Sequence, residues 1–443
     1  MIKFIDLFAG LGGIRLGFTQ AAQELNIETE CVFTSEIKPS AIEAMRFNFN
    51  DNTIEKVDIT QVHEKDIPSF NILLGGFPCQ AFSFAGKQKG LCDTRGTLFF
   101  EIERILKHHL KNVDGFILEN VEGLITHQKE HKTDQIGKTL SIILDVLRNK
   151  LKFNTEYVLL DAADFGVPQS RKRVYIVGCK KKYGKLSLKF AKRDSVGVGS
   201  FLDYGQDCLD TPFTRALLDH YEPSELEGKF LKDKRGGDLN IHSWDFEYKG
   251  EVSKEQKELL NLLFKNRRRR SWAEKIGIEW MDGMPLTTAQ ISTFYNNPNL
   301  QEMLDDLVEK QYLILEHPKK KITHTTEAGQ YSERVQDTTL PKGYNIVTGK
   351  LSFPMSCILD PKKPAPTIVA MDMGHLGVVD KDGLRYLSLK EGLRLFGYPE
   401  DYSLEMFNGS SRDRQLGYDL LGNSVCVPVI KEVAMKLLTQ IYG

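Results

Sequence analysis

Across residues 1–180 the chain alternates short apolar runs with longer amphipathic stretches. Apolar runs at 3–7, 31–35, 71–74, 116–119, 157–160 and 174–177 have the length and composition of strands. Between them, 13–25, 40–49, 98–110 and 135–151 carry helical spacing. In the third of these Phe99, Ile102, Ile105, Leu106 and Leu110 fall on one stripe, as a core-facing helix requires. Strand–helix alternation predicts βαβ units, hence an α/β fold around a doubly wound, mostly parallel sheet.

After Cys179 that rhythm stops. To about residue 350 the chain is more charged and irregular, with turn-forming pairs such as Gly236-Gly237, and reads as a second domain inserted before the first is finished. Helical spacing returns from Pro428 through Val429, Val433, Leu437 and Leu438, and a proline suits a first helical turn. The expected partition is 1–180 plus 385–443 against a smaller domain at 181–384. Within the insert, 285–326 predicts a winged-helix-like subdomain: helices at 287–295 and 300–311, a strand at 312–316, a Lys319-Lys320-Lys321 turn and a second strand. Leu300, Met303, Leu304, Leu307 and Val308 form its apolar stripe. Glu302, Asp305, Asp306 and Glu309 cover the other faces and would be repelled by phosphates, so a structural subdomain is expected rather than a groove-reading helix.

A chain of 443 residues has room for two domains, and its 41% apolar content is ordinary for a globular protein. Seven cysteines (31, 79, 92, 179, 208, 357, 426) form no CxxC pair, which favours reduced thiols in a cytosolic compartment over disulfides or zinc. No apolar run approaches the ~20 residues of a membrane span, and no signal peptide precedes the first strand, so neither secretion nor membrane insertion is expected. A net charge of −1 hides segregation. Residues 165–193 hold ten basic side chains and no Asp or Glu, and Lys265 with Arg267, Arg268, Arg269 and Arg270 forms a second cluster. Such segregation suits a polyanion, although a solvated basic face would look the same.

Four segments carry candidate chemistry. Phe77-Pro78-Cys79-Gln80 follows a strand and a Gly75-Gly76 break, placing a thiol at the mouth of a parallel sheet. Gly10-Leu11-Gly12-Gly13 follows a strand and opens a helix, where missing side chains let a cofactor approach the backbone. It departs from G-x-G-x-x-G, which argues against a dinucleotide site. Glu36, ending the second strand, suits a ribose-hydroxyl acceptor. Glu119-Asn120-Val121 supplies a carboxylate. In Gln169-Ser170-Arg171-Lys172-Arg173, two arginines two positions apart should project to one side of a strand. The glycine-rich, charged segment 86–98 reads as a mobile lid. His127-Gln128-Lys129-Glu130-His131 matches H-x-x-E-H without a third ligand, so no metal site is expected.

In this order the four segments resemble the DNA (cytosine-5)-methyltransferase family. Pro366-Thr367-Ile368-Val369-Ala370, the run Glu391-Gly392-Leu393-Arg394-Leu395-Phe396-Gly397-Tyr398 and Gly422-Asn423-Ser424-Val425 extend the resemblance to 1–180 and 355–443. It implies an S-adenosylmethionine-dependent methyltransferase fold whose last motif packs beside the first, with an inserted target-recognition domain. Cys79 is then the nucleophile and Glu119 the partner of cytosine N3, with Arg171 and Arg173 on the flipped base and its flanking phosphates. The cofactor S-adenosyl-L-methionine would lie against Phe8, Gly10, Leu11, Gly13, Glu36, Ile37, Asp58, Ile59, Pro78, Leu98, Asn423 and Ser424. The substrate would meet Phe77, Gln80, Ser83, Gln169 and Thr367. Ile37 stands where some members place an aromatic residue. Cys92 fills a lid position expected to be polar and reads as a buried spectator.

Cytosine C5 is a poor nucleophile until a thiolate adds to C6 while N3 is protonated or hydrogen-bonded. A free cysteine at pH 7 is ~3% thiolate and one tuned to pKa ~7 is ~50%, a gain of about 1.6 kcal/mol. Enzymes supply about 8–23 kcal/mol, so Glu119, the arginines and positioning must do most of the work. The expected activity is methylation of C5 of a flipped cytosine in a specific double-stranded DNA sequence. The expected setting is a bacterial restriction–modification system: a cytoplasmic monomer protecting host DNA from a cognate restriction endonuclease. Two rivals are an RNA (tRNA) cytosine-5 methyltransferase, which usually carries a smaller insert, and a DNA-binding regulator with vestigial catalysis.

Overall fold

The structure is a computed structural model, and it describes residues 1–78, 98–131, 133–233, 236–279, 283–326, 329–347, 353–370 and 372–443. It divides into two compact units, Met1–Asp203 with Asp360–Gly374 and Leu387–Gly443, and Tyr204–Leu359 with His375–Tyr386.

The first unit is built on six strands: β1 (Ile2–Leu7), β2 (Thr29–Ser35), β3 (Ile72–Gly76), β4 (Gly115–Val121), β5 (Phe153–Asp161) and β6 (Lys172–Lys180). Their order is β2-β1-β3-β4-β6-β5. The first four run parallel, while β6 is antiparallel to both neighbours. The chain leaves β1 for β2 on one side and returns to β3 on the other. Strand order thus reverses between β1 and β3, which opens a crevice at their carboxyl ends. Helices α1 (Gly13–Glu24), α2 (Pro39–Asn48), α3 (Leu98–His108), α4 (Gly123–Thr126) and α5 (Lys138–Asp145) flank the sheet. The expected stripe buries Phe99, Ile102, Ile105 and Leu106 on α3, whereas Leu110 lies past the helix end and is exposed. The helix expected at 135–151 is α5 followed by a π-helical turn, Val146–Lys150.

The C-terminal helix Val427–Tyr442 lies against α1. Its Val429, Ile430, Val433, Leu437 and Leu438 are buried, each worth about 1.5–3 kcal/mol of transfer free energy. Gly17 permits the approach, because a Cβ there would sit 2.7 Å from Ile430 Cβ. A larger residue at 17 would separate the first and last helices.

The second unit contains β7 (Phe230–Leu231), β8 (Asn240–Ile241), β9 (Leu313–Glu316), β10 (Lys319–Thr326), β11 (Gly329–Gln336), β12 (Gly343–Ile346), β13 (Cys357–Ile358), β14 (Leu376–Asp380) and β15 (Gly383–Tyr386). Five of them form a sheet in the order β15-β14-β13-β7-β8, and β9–β12 and β10–β11 are separate antiparallel pairs. Around β9–β12 the helices Lys254–Asn266, Thr288–Ile291 and Leu300–Glu309 bury Leu259, Leu263, Ile291, Leu304, Leu307, Tyr312 and Ile346 in one core. Lys254–Asn266 begins at a Ser253–Gln256 capping box, which satisfies two of the helix's orphan amides.

One expectation fails in this unit. Lys319, Lys320 and Lys321 are not a turn but the start of β10, because β11 supplies a full set of backbone partners opposite them. In the second basic cluster Arg267 is buried and its guanidinium donates to Asn345 Oδ1, while Arg268, Arg269 and Arg270 are exposed. Among the described residues no helix is long and apolar enough to cross a membrane.

Candidate active site

The chain leaves β1 through a loop in left-handed backbone: Phe8, Gly10 and Gly12 have φ of 58°, 56° and 71°. For a phenylalanine this conformation is strained, and such strain gathers at ligand sites. The loop is held on three sides. Gly10 N–H donates to Glu36 Oε2 at 2.8 Å, and Tyr402 OH donates to Leu11 O at 2.7 Å. A Cβ on Gly13 would lie 2.6 Å from Tyr398 OH and 2.8 Å from Val425, so only glycine lets the C-terminal motif close on the loop. A Cβ on Gly10, by contrast, would have no atom within 4 Å, and this open cradle can receive a ligand.

Glu36 Oε1 also accepts the amides of Ile37 and Lys38, each at 2.8 Å. A carboxylate has about four acceptor positions, so three amides leave room for a hydroxyl. Asp58 is exposed and takes Thr60 N–H at 3.0 Å and Thr60 Oγ1 at 2.7 Å, while Ile59 is buried beside it. Ile37 is 57% exposed. Leu98 is half-buried at the start of α3. Asn423 is exposed and donates to Asp419 O, and Ser424 is buried with its Oγ 2.6 Å from Tyr398 OH. A glycine cradle beside two carboxylates at a strand-order reversal fits an adenosine-bearing cofactor.

At the end of β4, Glu119 stands opposite Gly76 of β3, where a Cβ would lie 3.5 Å from Glu119 Oε2. Arg173 Nε lies 3.1 Å from Glu119 Oε1, with each side chain 12% exposed. Burial pushes the Glu119 carboxyl above its usual range, and the Arg173 and Arg171 cations oppose the rise. Asn120 Nδ2 donates to Phe77 O at 2.7 Å and so fixes the turn that carries Pro78. Thr367 is exposed, its Oγ1 donating to Ser170 O at 2.7 Å. Cys79, Gln80 and Ser83, with Cys92 and 86–97, lie outside the described residues.

Three expected site residues have other surroundings. Arg171 does not join Arg173 at the carboxylate. It is buried, its Nη atoms donate to the carbonyls of Ile368 (2.6 Å), Ser424 (2.7 Å) and Gly422 (3.1 Å), and it stacks 5.1 Å from the Phe396 ring. Burial, helped by Arg173, lowers its pKa to about 10. Gln169 is fully buried, donating to Leu395 O and accepting from Ile368 N–H, so its side chain ties segments together instead of facing a substrate. Phe77 packs into the core with its ring 5.9 Å from that of Phe99. The basic window is also partly compensated. Lys180 and Lys182 reach Asp114, Lys192 reaches Asp164, and Arg193 reaches Glu432. His127 Nδ1 is engaged by Thr139 Oγ1 at 2.7 Å.

Asn120, Gly76 and Tyr398 were not singled out by role in the sequence. Each lay inside a segment the sequence had marked: Asn120 beside Glu119, Gly76 in the glycine break before Phe77, and Tyr398 at the end of the Glu391–Tyr398 run.

A family model described as C-5 cytosine-specific DNA methylase matches residues 2–439. The chain is 55% identical to Type II methyltransferase M.NlaIV of Neisseria lactamica and 54% identical to M.NgoBV of Neisseria gonorrhoeae, each over 99% of both chains. In fold it is similar to the Dnmt2 methyltransferase of S. pombe, with a TM-score of 0.56 at 17% identity over the whole of both chains. The chain therefore belongs to the C-5 cytosine-specific DNA methylase family and is a DNA (cytosine-5)-methyltransferase.

Proposed function

We propose that this enzyme methylates C5 of a cytosine turned out of duplex DNA, through a transient bond between Cys79 and C6. The observation that carries the reading is the buried Glu119–Arg173 pair beside the Phe77–Pro78 turn that leads into Cys79. A stacked base hides both faces of its ring, so the cytosine must leave the helix at a cost of a few kcal/mol. The Cys79 thiolate then forms an S–C6 bond, and the ring's displaced electron pair makes C5 nucleophilic. Negative charge develops at N3, where a protonated Glu119 can donate. Burial favours that protonated form, and the Arg173 and Arg171 cations oppose it.

S-adenosyl-L-methionine, when bound, supplies an electrophilic methyl group. The Phe8–Gly13 loop, Glu36 and Asp58 would hold it. In the final step C5 loses its proton, the C5–C6 double bond re-forms and Cys79 leaves as thiolate. Arg171 acts at one remove, by fixing the carbonyls of Ile368, Gly422 and Ser424. Kinship with Type II methyltransferases supports a role in protecting host DNA from a cognate restriction endonuclease.

Duplex DNA carrying 5-fluorocytosine tests the reading, because fluorine cannot leave in the elimination. The wild-type chain should form a stable covalent complex and Cys79→Ser should form none. An adduct that survives in Cys79→Ser, or transfer to tRNA in place of duplex DNA, would overturn it.

A further inference from the structure

The hairpin β10–β11 has two unlike faces. Opposed residues of an antiparallel pair share a face, so Lys319/Gln336, Lys321/Arg334 and Thr323/Ser332 line one side. The 3.0 Å contact between Thr323 Oγ1 and Ser332 Oγ confirms this. All six side chains are exposed. The opposite side carries Ile322 and Val335, and its polar groups are engaged: Lys320 lies 3.4 Å from Asp337, and His324 Nε2 is within hydrogen-bond distance of Glu333 Oε1 at 2.8 Å. Among the described residues no carboxylate comes within ion-pair distance of Lys319, Lys321 or Arg334.

Lys321 directly opposite Arg334 is an unfavourable pairing, since like charges face to face weaken a sheet. An anion lying across both would relieve it. Hydroxyl and amide donors flank the two cations, and Lys, Arg, Ser, Thr and Gln are the side chains that bind nucleic-acid phosphates. A ribbon of eight-residue strands is about 27 Å long, enough to cross a major groove about 12 Å wide. The helix Leu300–Glu309 of the same unit is a poorer candidate, because it carries Glu302, Asp305, Asp306 and Glu309.

We propose that the Lys319–Lys321–Arg334 face of this hairpin binds the phosphate backbone of the duplex substrate. The proposal rests on the reading of the chain as a duplex-DNA methyltransferase, and assigns its phosphate contacts to a ribbon in place of a helix. It predicts affinity without sequence information.

The test uses the full chain, a duplex containing the methylated sequence and a random duplex, with binding followed by fluorescence anisotropy across a salt series. Lys319→Gln/Lys321→Gln/Arg334→Gln should weaken binding to both duplexes at least tenfold at low salt. The log–log salt slope should fall by about 0.9 per lost contact, roughly 2.7 for three. Lys320→Gln, on the matched face, should leave affinity and slope as in wild type. An unchanged affinity and slope in the triple variant would overturn the assignment. So would a loss confined to the methylated sequence or an altered consensus, either of which marks base readers. A wild-type chain that binds no duplex would overturn the duplex-substrate reading on which the proposal rests, and this is distinct from a wild-type chain that binds while the variant binds equally well.

Discussion

Asn120 donates its side-chain amide to the carbonyl of Phe77 at 2.7 Å, in the buried gap between β4 and the chain leaving β3. Its Oδ1 is also used, accepting Val121 N–H at 2.9 Å. One side chain therefore sets the direction in which Phe77 and Pro78 leave the sheet. Asn120→Ala would strand a buried carbonyl at a cost of about 1–3 kcal/mol. Single-turnover methyl transfer should fall at least tenfold while cofactor affinity, measured by calorimetry, changes less than twofold. Intact transfer would show that the tie does not position the nucleophile.

Arg171 and Arg173 should fail differently. Arg171 holds three carbonyls and Arg173 holds one carboxylate. Arg171→Ala should lower stability by several kcal/mol, read in urea, because several buried acceptors lose their donor at once. Arg173→Ala should lose less stability but about a hundredfold in single-turnover rate. The reverse pattern would exchange their roles.

The Glu119 carboxyl is raised by burial and held down by Arg173. If its protonated form donates to N3, that form is lost as pH rises through its pKa, so the single-turnover rate should decline on the alkaline side of that point. Arg173→Ala removes the opposing cation and should move the decline to higher pH. Glu119→Gln should lack it altogether. A decline at the same pH in all three proteins would assign it elsewhere.

Asp6 on β1 is fully buried, and among the described residues neither carboxylate oxygen has a hydrogen-bond partner. Burial raises its pKa from 3.8 to about 7, Arg15 opposes and Glu36 adds. The folded state thus holds a proton that the unfolded chain releases near pH 4. Stability from this group is complete below that pH and is lost as pH rises towards 7, with ~4 kcal/mol at stake. In urea titrations wild type should lose more stability between pH 5 and pH 8 than Asp6→Asn does. Parallel curves would show that Asp6 is not the titrating group.

How much of this was legible beforehand depends on the range of the interaction. All six strands of the first unit lie where apolar runs of period two or of continuous burial had placed them. For example, 116–119 falls inside Gly115–Val121, and 174–177 inside Lys172–Lys180. Those patterns arise from the backbone's own repeat, which a linear sequence displays directly. The glycine loop, Glu36 and Glu119 were legible for the same reason, since each follows or ends a strand.

Other features depended on partners remote in sequence. The two arginines were expected on one side by alternation, but Arg171 lies just before β6, where the pleat has not begun, and its carbonyl partners are at 368, 422 and 424. The basic window 165–193 looked uncompensated because Asp114, Asp164, Glu119 and Glu432 all lie outside it in sequence and meet it only in space. Lys319 to Lys321 read as a turn until β11 came alongside. Periodicity and loop chemistry are local properties, written residue by residue. Charge matching, the burial of Arg171 and the pairing of a hairpin are properties of contacts, and only the folded chain brings those contacts together.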